Sequence, residues 1–246
     1  MLEQIIFCDL TYTFTAQLQD QFKFDHFPVK IDYYTGNIRD MNAPPNSCYL
    51  SPANSFGYMD GGIDAVYSIM FPGIQQLVQE RIKSYPYKTR LGLSYLPIGS
   101  SLLIDLNLLN TRNNTANESN CYLISAPTMW RPQDVSMTNN AYYAMLSTLS
   151  LIRKYNETAL PTRQITTLIC PGLCTGYGKM SYKQSAEQIA RAMIEFYNHI
   201  RITSDHMESD PTSILKELGV KEQAKIYMNT EIKEINLHPG ESNMLP

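Results

Sequence analysis

The chain has 246 residues, of which 43% are hydrophobic and 17% are charged, and its formal net charge is −3. This length can bury a large core without the help of disulfide bonds. The small net charge disfavours a protein that coats nucleic acid, and no window approaches the roughly 18 consecutive apolar residues of a membrane span. We therefore expect a globular protein with neither a nucleic-acid partner nor a membrane partner.

The five cysteines, at positions 8, 48, 121, 170 and 174, are odd in number and form no CxxC pair. Such a set, without metal-ligand spacing, is typical of reduced thiols rather than of a disulfide framework or a zinc site. The N-terminal residues also lack the basic segment and long apolar core of a secretion signal. The sequence thus predicts a cytoplasmic or other reducing location, a viral host cytoplasm included, with no bound metal and no cofactor.

Short apolar runs alternate with helical periodicities along most of the chain, a pattern that predicts the α/β class. A helix that begins near residue 63 is expected to break at Phe71-Pro72-Gly73, because proline and glycine interrupt helices. A further helix is predicted over 138–155, and the last follows Ser181, whose spacing from Gln184 predicts a capping box. The predicted strands are 4–9, 29–34, 48–51, 101–106, 121–126 and 165–170.

The polar segment 107–120 is typical of a solvated loop between two strands. After residue 202 the composition becomes acidic, with eight Asp or Glu residues and four Lys. We therefore predict one domain over 1–202 and a C-terminal extension over 203–246, with short helices near 211–218 and 222–227.

Two glycine-rich loops each connect a predicted strand to a predicted helix. The first is SPANSFGYMDGGID from Ser51 to Asp64, and the second is CPGLCTGYGKMS from Cys170 to Ser181. Glycines let a ligand approach the backbone, and a helix N-terminus offers free N–H groups and the positive end of the dipole. Both loops favour a phosphate or diphosphate ligand, although a tight turn with Asp64 as a helix-start carboxylate explains the first loop equally well. The glycine spacing matches neither the dinucleotide-binding fingerprint nor the P-loop.

The motifs and their order resemble the macro domain, an ADP-ribose-binding family. SPANS at 51–55 and DGGID at 60–64 are similar to the family's NAANS and GGGVD-like loop, and PGLCTGYG at 171–178 is similar to its PGLGTGxG variant. The APTM segment at 126–129 resembles the bacterial and viral branch once labelled ADP-ribose 1″-phosphate processing proteins. The resemblance covers about residues 34–197 and implies a three-layer α/β/α fold with a mixed central sheet.

The resemblance also implies roles for individual residues. Asn54 would contact the distal ribose and Asp64 matches the acidic residue of the hydrolysing members, so these two are the candidate catalytic residues. The backbone N–H groups of 175–178 would hold the diphosphate, with Tyr177 near the distal ribose. The full set of implied ligand-binding residues is Asn37, Ile38, Ala53, Gly61, Gly62, Ile63, Gly172, Cys174, Thr175, Gly176, Tyr177 and Gly178.

The sequence departs from the family's pattern in three places. Asn37 replaces the aspartate that accepts a hydrogen bond from the adenine amino group, and its carbonyl still accepts but without the charge. Ser51-Pro52 replaces Asn-Ala, which removes one amide side chain and one backbone donor. Cys174 replaces a glycine and is either a small packed residue or an exposed thiol whose pKa the helix start lowers.

Other side chains near the motifs allow two interpretations each. Tyr58 and Tyr177 lie in the loops, where an aromatic face can pack on a ribose or a base. Trp130 and Arg131 either anchor a loop or contact a phosphate at the rim. No histidine lies in either loop, so a histidine-dependent phosphatase has little support; His26 is either an ordinary surface or core residue or folds over the site.

Three functional hypotheses follow. The first is a hydrolase of ADP-ribosylated protein, ADP-ribose 1″-phosphate or O-acetyl-ADP-ribose, in which Asp64 positions or activates a water. The second is a reader that binds ADP-ribose without turnover. The third is a degenerate macro fold that serves as an interaction module through its C-terminal extension.

Overall fold

The computed structural model describes residues 1–23, 26–109 and 121–205, and the side chains of those up to residue 200. Contacts divide the chain into two units, residues 1–199 and 200–246. The helices predicted at 211–218 and 222–227 and most of the predicted loop 107–120 lie outside the described residues, so these features and the C-terminal extension stay predictions. Among the described helices, none combines the length and hydropathy that a bilayer span needs.

One six-stranded mixed sheet organises the described residues. Its strands lie in the order β2-β1-β6-β3-β5-β4, and every neighbouring pair is parallel except β4 with β5. Each strand begins and ends within two residues of the bounds predicted from the sequence, which confirms the α/β class and the mixed sheet. The strands are β1 (Gln4–Asp9), β2 (Lys30–Thr35), β3 (Ser47–Ser51), β4 (Leu102–Asp105), β5 (Cys121–Ser125) and β6 (Thr167–Pro171).

Helices cover both faces of the sheet and complete the three layers. Since the central strands are buried on both sides, they appear in the sequence as nearly continuous apolar runs. Along β3, Cys48 and Leu50 enter the core shared with α1, α4 and α5, whereas Tyr49 enters the core shared with α2 and α3. The helices are α1 (Tyr12–Gln21), α2 (Gly62–Met70), α3 (Ile74–Lys83), α4 (Asn140–Thr158) and α5 (Tyr182–Asp205).

The predicted helix break lies at Phe71-Pro72-Gly73, between α2 and α3. Helix α2 ends at Met70, and α3 starts after Gly73, whose φ of 93° belongs to the left-handed region. The capping box at the start of α5 is only half formed. Ser181 Oγ accepts a hydrogen bond from Gln184 N at 3.2 Å, but the Gln184 side chain donates to Ser136 O at 2.6 Å instead of returning to the cap. Tertiary contact with the segment before α4 therefore replaces the local bond.

Candidate ligand-binding site at the carboxyl edge of the sheet

The two glycine loops leave neighbouring strands of the sheet. Strands β3 and β6 are parallel and in register, with Ser47 opposite Thr167 and Tyr49 opposite Ile169. Their carboxyl ends therefore lie side by side, and the loops that follow them leave the same edge. In open α/β sheets this edge is where ligands bind.

The two loops touch where Gly61 meets Tyr177. A Cβ placed on Gly61 would lie 2.7 Å from Cε2 of the Tyr177 ring, closer than real carbon contacts allow. The ring of Tyr177 thus lies directly against the backbone of the first loop while 62% of the residue remains exposed. Two motifs that are more than a hundred residues apart in the chain form one continuous surface.

Open space lies above one glycine in each loop. Gly62 has a φ of 57°, a conformation that favours glycine, and no heavy atom lies within 4 Å of the position of its missing Cβ. Gly176 is equally open. Gly62 is also the first residue of α2, whose first N–H groups have no partners inside the helix. A ligand can therefore approach the backbone of both loops, and an anion suits the helix start.

Asp64 is a buried carboxyl group in the first turn of α2. It is 7% exposed, and Ser51 Oγ donates a hydrogen bond to its Oδ1 at 2.6 Å. Burial raises the pKa of Asp64 to about 7; the bond from Ser51 opposes this shift, and the charge of Asp60 adds to it. The carboxyl group therefore exchanges its proton near neutral pH, where a general base or acid is most effective.

The second oxygen of Asp64 has access to solvent. Its Oδ2 accepts no hydrogen bond from the described residues. It is also not among their polar atoms that are both inaccessible to solvent and without a hydrogen-bond partner, so it reaches solvent. Among the described residues, Ser125 Oγ is buried and has no hydrogen-bond partner. Ser125 lies on β5 opposite Ser51 of β3, so the two side chains point to the same face of the sheet. A buried hydroxyl without a partner is uncommon in native proteins and marks a place where a water or a ligand group is expected.

Asn54 organises its own loop. Its Nδ2 donates to Tyr58 O at 2.7 Å, and its Oδ1 accepts from Phe56 N at 3.1 Å and from Tyr58 N at 3.4 Å. The side chain is 8% exposed. The side-chain amide of Asn54 therefore stabilises the turn over residues 54–58. The contact of Asn54 with the distal ribose stays a prediction.

A third segment, the APTM residues 126–129, is bonded to the first loop. Thr128 N donates to Ala53 O at 2.9 Å and Ser55 N donates to Met129 O at 2.9 Å, which extends the pairing of β3 and β5 beyond their ends. The Thr128 hydroxyl donates to Pro52 O at 3.1 Å. The first loop therefore continues the sheet instead of lying loosely above it.

Cys174 is a packed residue, so the alternative of an exposed, activated thiol is wrong. It is 3% exposed, and burial raises its pKa to about 12. Its φ of 64° lies in the left-handed region, which explains why a glycine suits this position. Met180 N donates to the carbonyl oxygen of Cys174 at 3.0 Å and closes the second loop.

The remaining predicted ligand-binding residues fall into three groups. Ile38 and Ala53 are buried at 5% and 1% exposure, so their side chains offer a ligand little surface. Asn37 is exposed after β2, where its Oδ1 accepts from Arg39 N at 3.0 Å. Ile63, Gly172, Thr175 and Gly178 lie in or beside the two loops, with Ile63 and Thr175 partly buried and Gly178 fully buried.

Two cavities are present besides the surface where the glycine loops meet, and the first of them touches the first loop at Met59. One of about 350 Å³ is lined by Met59, Ser68 and residues 72–76, none of them a predicted ligand-binding residue. The other, of about 260 Å³, lies beside β2 and includes exposed His26. Since His26 precedes the amino end of β2, it lies at the edge opposite the glycine loops, and the alternative that it folds over the site is wrong. No group of three His, Cys, Asp or Glu side chains in the described ranges converges to hold a metal.

Sequence reasoning missed two features of this site. It treated Ser51 only as a departure from the family's pattern, although Ser51 is the hydrogen-bond partner of Asp64. It also assigned no role to Asp9, whose Oδ2 lies 3.6 Å from the Cβ position of Gly172 at the end of β1. A separation of 13 residues between Ser51 and Asp64 fits no helical or strand period, so the pattern gave no signal.

The chain is an α/β/α domain whose two glycine loops meet at the carboxyl edge of the sheet. The sequence profile of the Macro-like domain family matches residues 27–213, so the chain belongs to that family. Similar solved structures, all at low sequence identity, include two macrodomains and a DarTG protein. The macrodomain of Mycobacterium tuberculosis DarG has 17% identity and a TM-score of 0.48, over 67% of this chain and 90% of that chain.

The other two similar structures were solved with nucleotide ligands. The Oceanobacillus iheyensis macrodomain with ADP has 14% identity and a TM-score of 0.44, over 62% of this chain and 70% of that chain. Thermosipho africanus DarTG in complex with ADP-ribose has 16% identity and a TM-score of 0.43, over 60% of this chain and 35% of that chain.

Proposed function

We propose that this chain binds ADP-ribose at the two glycine loops and hydrolyses an ADP-ribose derivative there. The observation that carries the proposal is the contact between Gly61 and Tyr177, which joins the two loops at the start of the helix whose first turn contains Asp64. It combines a surface for an anion with a carboxyl group that titrates near neutral pH. Membership of the Macro-like domain family supports ADP-ribose as that anion.

The diphosphate lies over the open backbone of both loops in this proposal. Gly62 and Gly176 leave room for phosphate oxygens, and the free N–H groups at the start of α2 favour negative charge. Tyr177 covers one side of the distal ribose with its exposed ring. Asn37 faces the adenine from the end of β2, as a hydrogen-bond acceptor without charge.

Asp64 acts on the attacking water. In its ionised form the free Oδ2 accepts a proton from water while Ser51 holds Oδ1, and the hydroxide equivalent attacks the ribose 1″ centre or its ester. As its bond breaks, the leaving group takes the bonding electron pair and the proton that Asp64 accepted, which restores the carboxylate. The candidate substrates are ADP-ribosylated protein, ADP-ribose 1″-phosphate and O-acetyl-ADP-ribose. Since all five cysteines are free, and four of them are buried, we also propose a reducing compartment.

Binding is tested by calorimetry with ADP-ribose and a Gly176→Val variant. The new side chain enters open space, so the fold is kept, but it occupies the volume that the diphosphate needs. We expect the affinity to fall at least about a hundredfold, the size of effect that a lost charge-assisted cluster of hydrogen bonds produces. Ser150→Val, on the exposed side of α4, is the control and leaves the affinity unchanged. Wild type that binds no ADP-ribose contradicts the proposal.

Turnover separates a hydrolase from a reader. An Asp64→Asn variant keeps the shape and the Ser51 hydrogen bond but cannot accept a proton, so we expect normal binding and at least about a hundredfold lower turnover. The three candidate substrates are assayed in parallel with wild type and variant. Binding without turnover of any of them by wild type supports the reader instead.

A further inference from the structure

A row of four aromatic rings runs away from the first glycine loop, and we call it the aromatic row. Phe56 of that loop lies 4.8 Å from Trp130, Trp130 lies 4.7 Å from Tyr95, and Tyr95 lies 5.9 Å from Tyr87, all between ring centroids. Trp130 is 37% and Tyr87 is 36% exposed. The proposed ADP-ribose site does not use these exposed rings.

Positive charge accompanies the aromatic row. Between Glu80 and Asp105 the sequence contains Arg81, Lys83, Lys88 and Arg90 and no acidic residue, although the whole chain has a net charge of −3. Arg131 follows Trp130, and all five cationic side chains are exposed. Among the described residues, none of the five forms a salt bridge. The small net charge of the chain therefore conceals a stretch of sequence whose cations are exposed and lack acidic partners among the described residues.

The segment that carries four of these cations is held against the first loop. Thr89 N donates to Leu93 O at 2.8 Å and closes a hairpin, while Lys88 Nζ donates to Lys83 O at 3.1 Å. Beyond the hairpin, Leu96 N donates to Ser55 O at 2.8 Å. These bonds hold the hairpin that carries Tyr87, Tyr95 and Lys88 in place against α3 and the first loop.

We propose that the aromatic row and its five cations bind single-stranded nucleic acid. Bases stack on exposed aromatic rings, and lysine and arginine side chains neutralise the phosphates that connect the bases. An acidic peptide needs the cations but leaves the rings without a role. The surface is a second site, separate from the glycine loops, and it runs against the expectation that net charge alone gave.

Trp130 provides a direct probe, because it is the only tryptophan of the chain. A short oligothymidylate is titrated against the full chain while Trp130 fluorescence is recorded; it contains no adenine and so does not imitate ADP-ribose. We expect quenching with micromolar affinity at about 50 mM salt, and a log–log salt slope of roughly −2 to −3.5 for three to five neutralised phosphates. Saturating ADP-ribose is expected to leave the titration unchanged.

Matched variants locate the surface. Arg90→Glu is expected to weaken binding about tenfold, whereas Lys154→Glu, the same type of charge reversal on α4 at the opposite face of the sheet, changes it less than about twofold. Fluorescence anisotropy of a labelled oligonucleotide tests Trp130→Ala, with Tyr143→Ala as the control for an exposed ring on α4. We expect about a tenfold loss for Trp130→Ala and none for the control, since each stacked base adds that order of affinity. Circular dichroism verifies that each variant is folded.

Four results overturn the proposal. These are no quenching at low salt, displacement of the oligonucleotide by ADP-ribose, and equal binding of polyglutamate at the same charge. The fourth is binding to phosphatidylserine vesicles without binding to the oligonucleotide, which would assign the exposed Leu91 and Leu93 of the hairpin to a lipid surface instead.

Discussion

Replacing Asp64 by asparagine is expected to change how the stability of the protein depends on pH. Burial raises the pKa of Asp64 from 3.8 to about 7 in the folded state, so the folded protein holds this proton more tightly than the unfolded chain does. The stabilisation is complete below pH 4, declines as the pH rises, and is lost above about pH 7. Three pKa units correspond to about 4 kcal/mol.

Urea unfolding of wild type and Asp64→Asn at several pH values between about 4 and 8 measures this effect. The quantity compared is the difference in the free energy of unfolding between the two proteins at each pH, because the contributions of the other carboxyl groups are equal in both and cancel. Asparagine keeps an oxygen for the Ser51 hydroxyl, so the packing is preserved. We expect the variant to gain up to about 4 kcal/mol relative to wild type between the two ends of the range.

A flat difference, within about 0.5 kcal/mol over that range, would refute the reasoning. It would mean that the carboxyl group is as well solvated in the folded protein as in the unfolded chain. A difference of the opposite sign would mean that the hydrogen bond from Ser51 outweighs burial.

Three further predictions test the site. Ser51→Ala is expected to raise the pKa of Asp64 by a further one to two units, roughly the value of a hydrogen bond to a charged group. The pH above which the free energy of unfolding stops falling should rise by the same amount, and an unchanged pH would contradict this. Cys174, with its pKa raised to about 12, is expected to resist thiol reagents at pH 8 until the protein unfolds, so fast native labelling in mass spectrometry would disprove its burial. Gly61→Ala is expected to push the exposed Tyr177 ring aside and to weaken ADP-ribose binding about tenfold in calorimetry. The free energy of unfolding in urea should change by less than about 1 kcal/mol. A large loss of stability would show that the ring is fixed.

The sequence predicted the sheet well because its central strands are buried. Continuous apolar runs such as 165–170 leave little choice of conformation, and the observed bounds differ from the predicted ones by at most two residues. Helix α1 had no such signal. Its buried face consists of Phe14, Thr15 and Leu18, and its N-cap Thr11 forms no side-chain cap bond. A short polar helix of this kind is stabilised mainly by its tertiary packing.

The glycine loops were predicted from the sequence, but their mutual contact was not. Gly61 and Tyr177 belong to different motifs, and only the adjacency of β3 and β6 brings them together. Spacing also left two states for Cys174, and burial decided between them. Residue patterns report faces and ends of elements, whereas pairs such as Ser51 and Asp64 depend on how the elements pack.

The backbone bonds between the first loop and the APTM segment have a consequence for affinity. Since Ser55 N and Thr128 N are paired as strand residues would be, the loop has already lost most of its conformational freedom in the free protein. A ligand that binds there does not bear the entropic cost of ordering the loop, so the site is preorganised. Amide hydrogen exchange at Ser55 and Thr128 should accordingly remain slow whether or not a ligand is present.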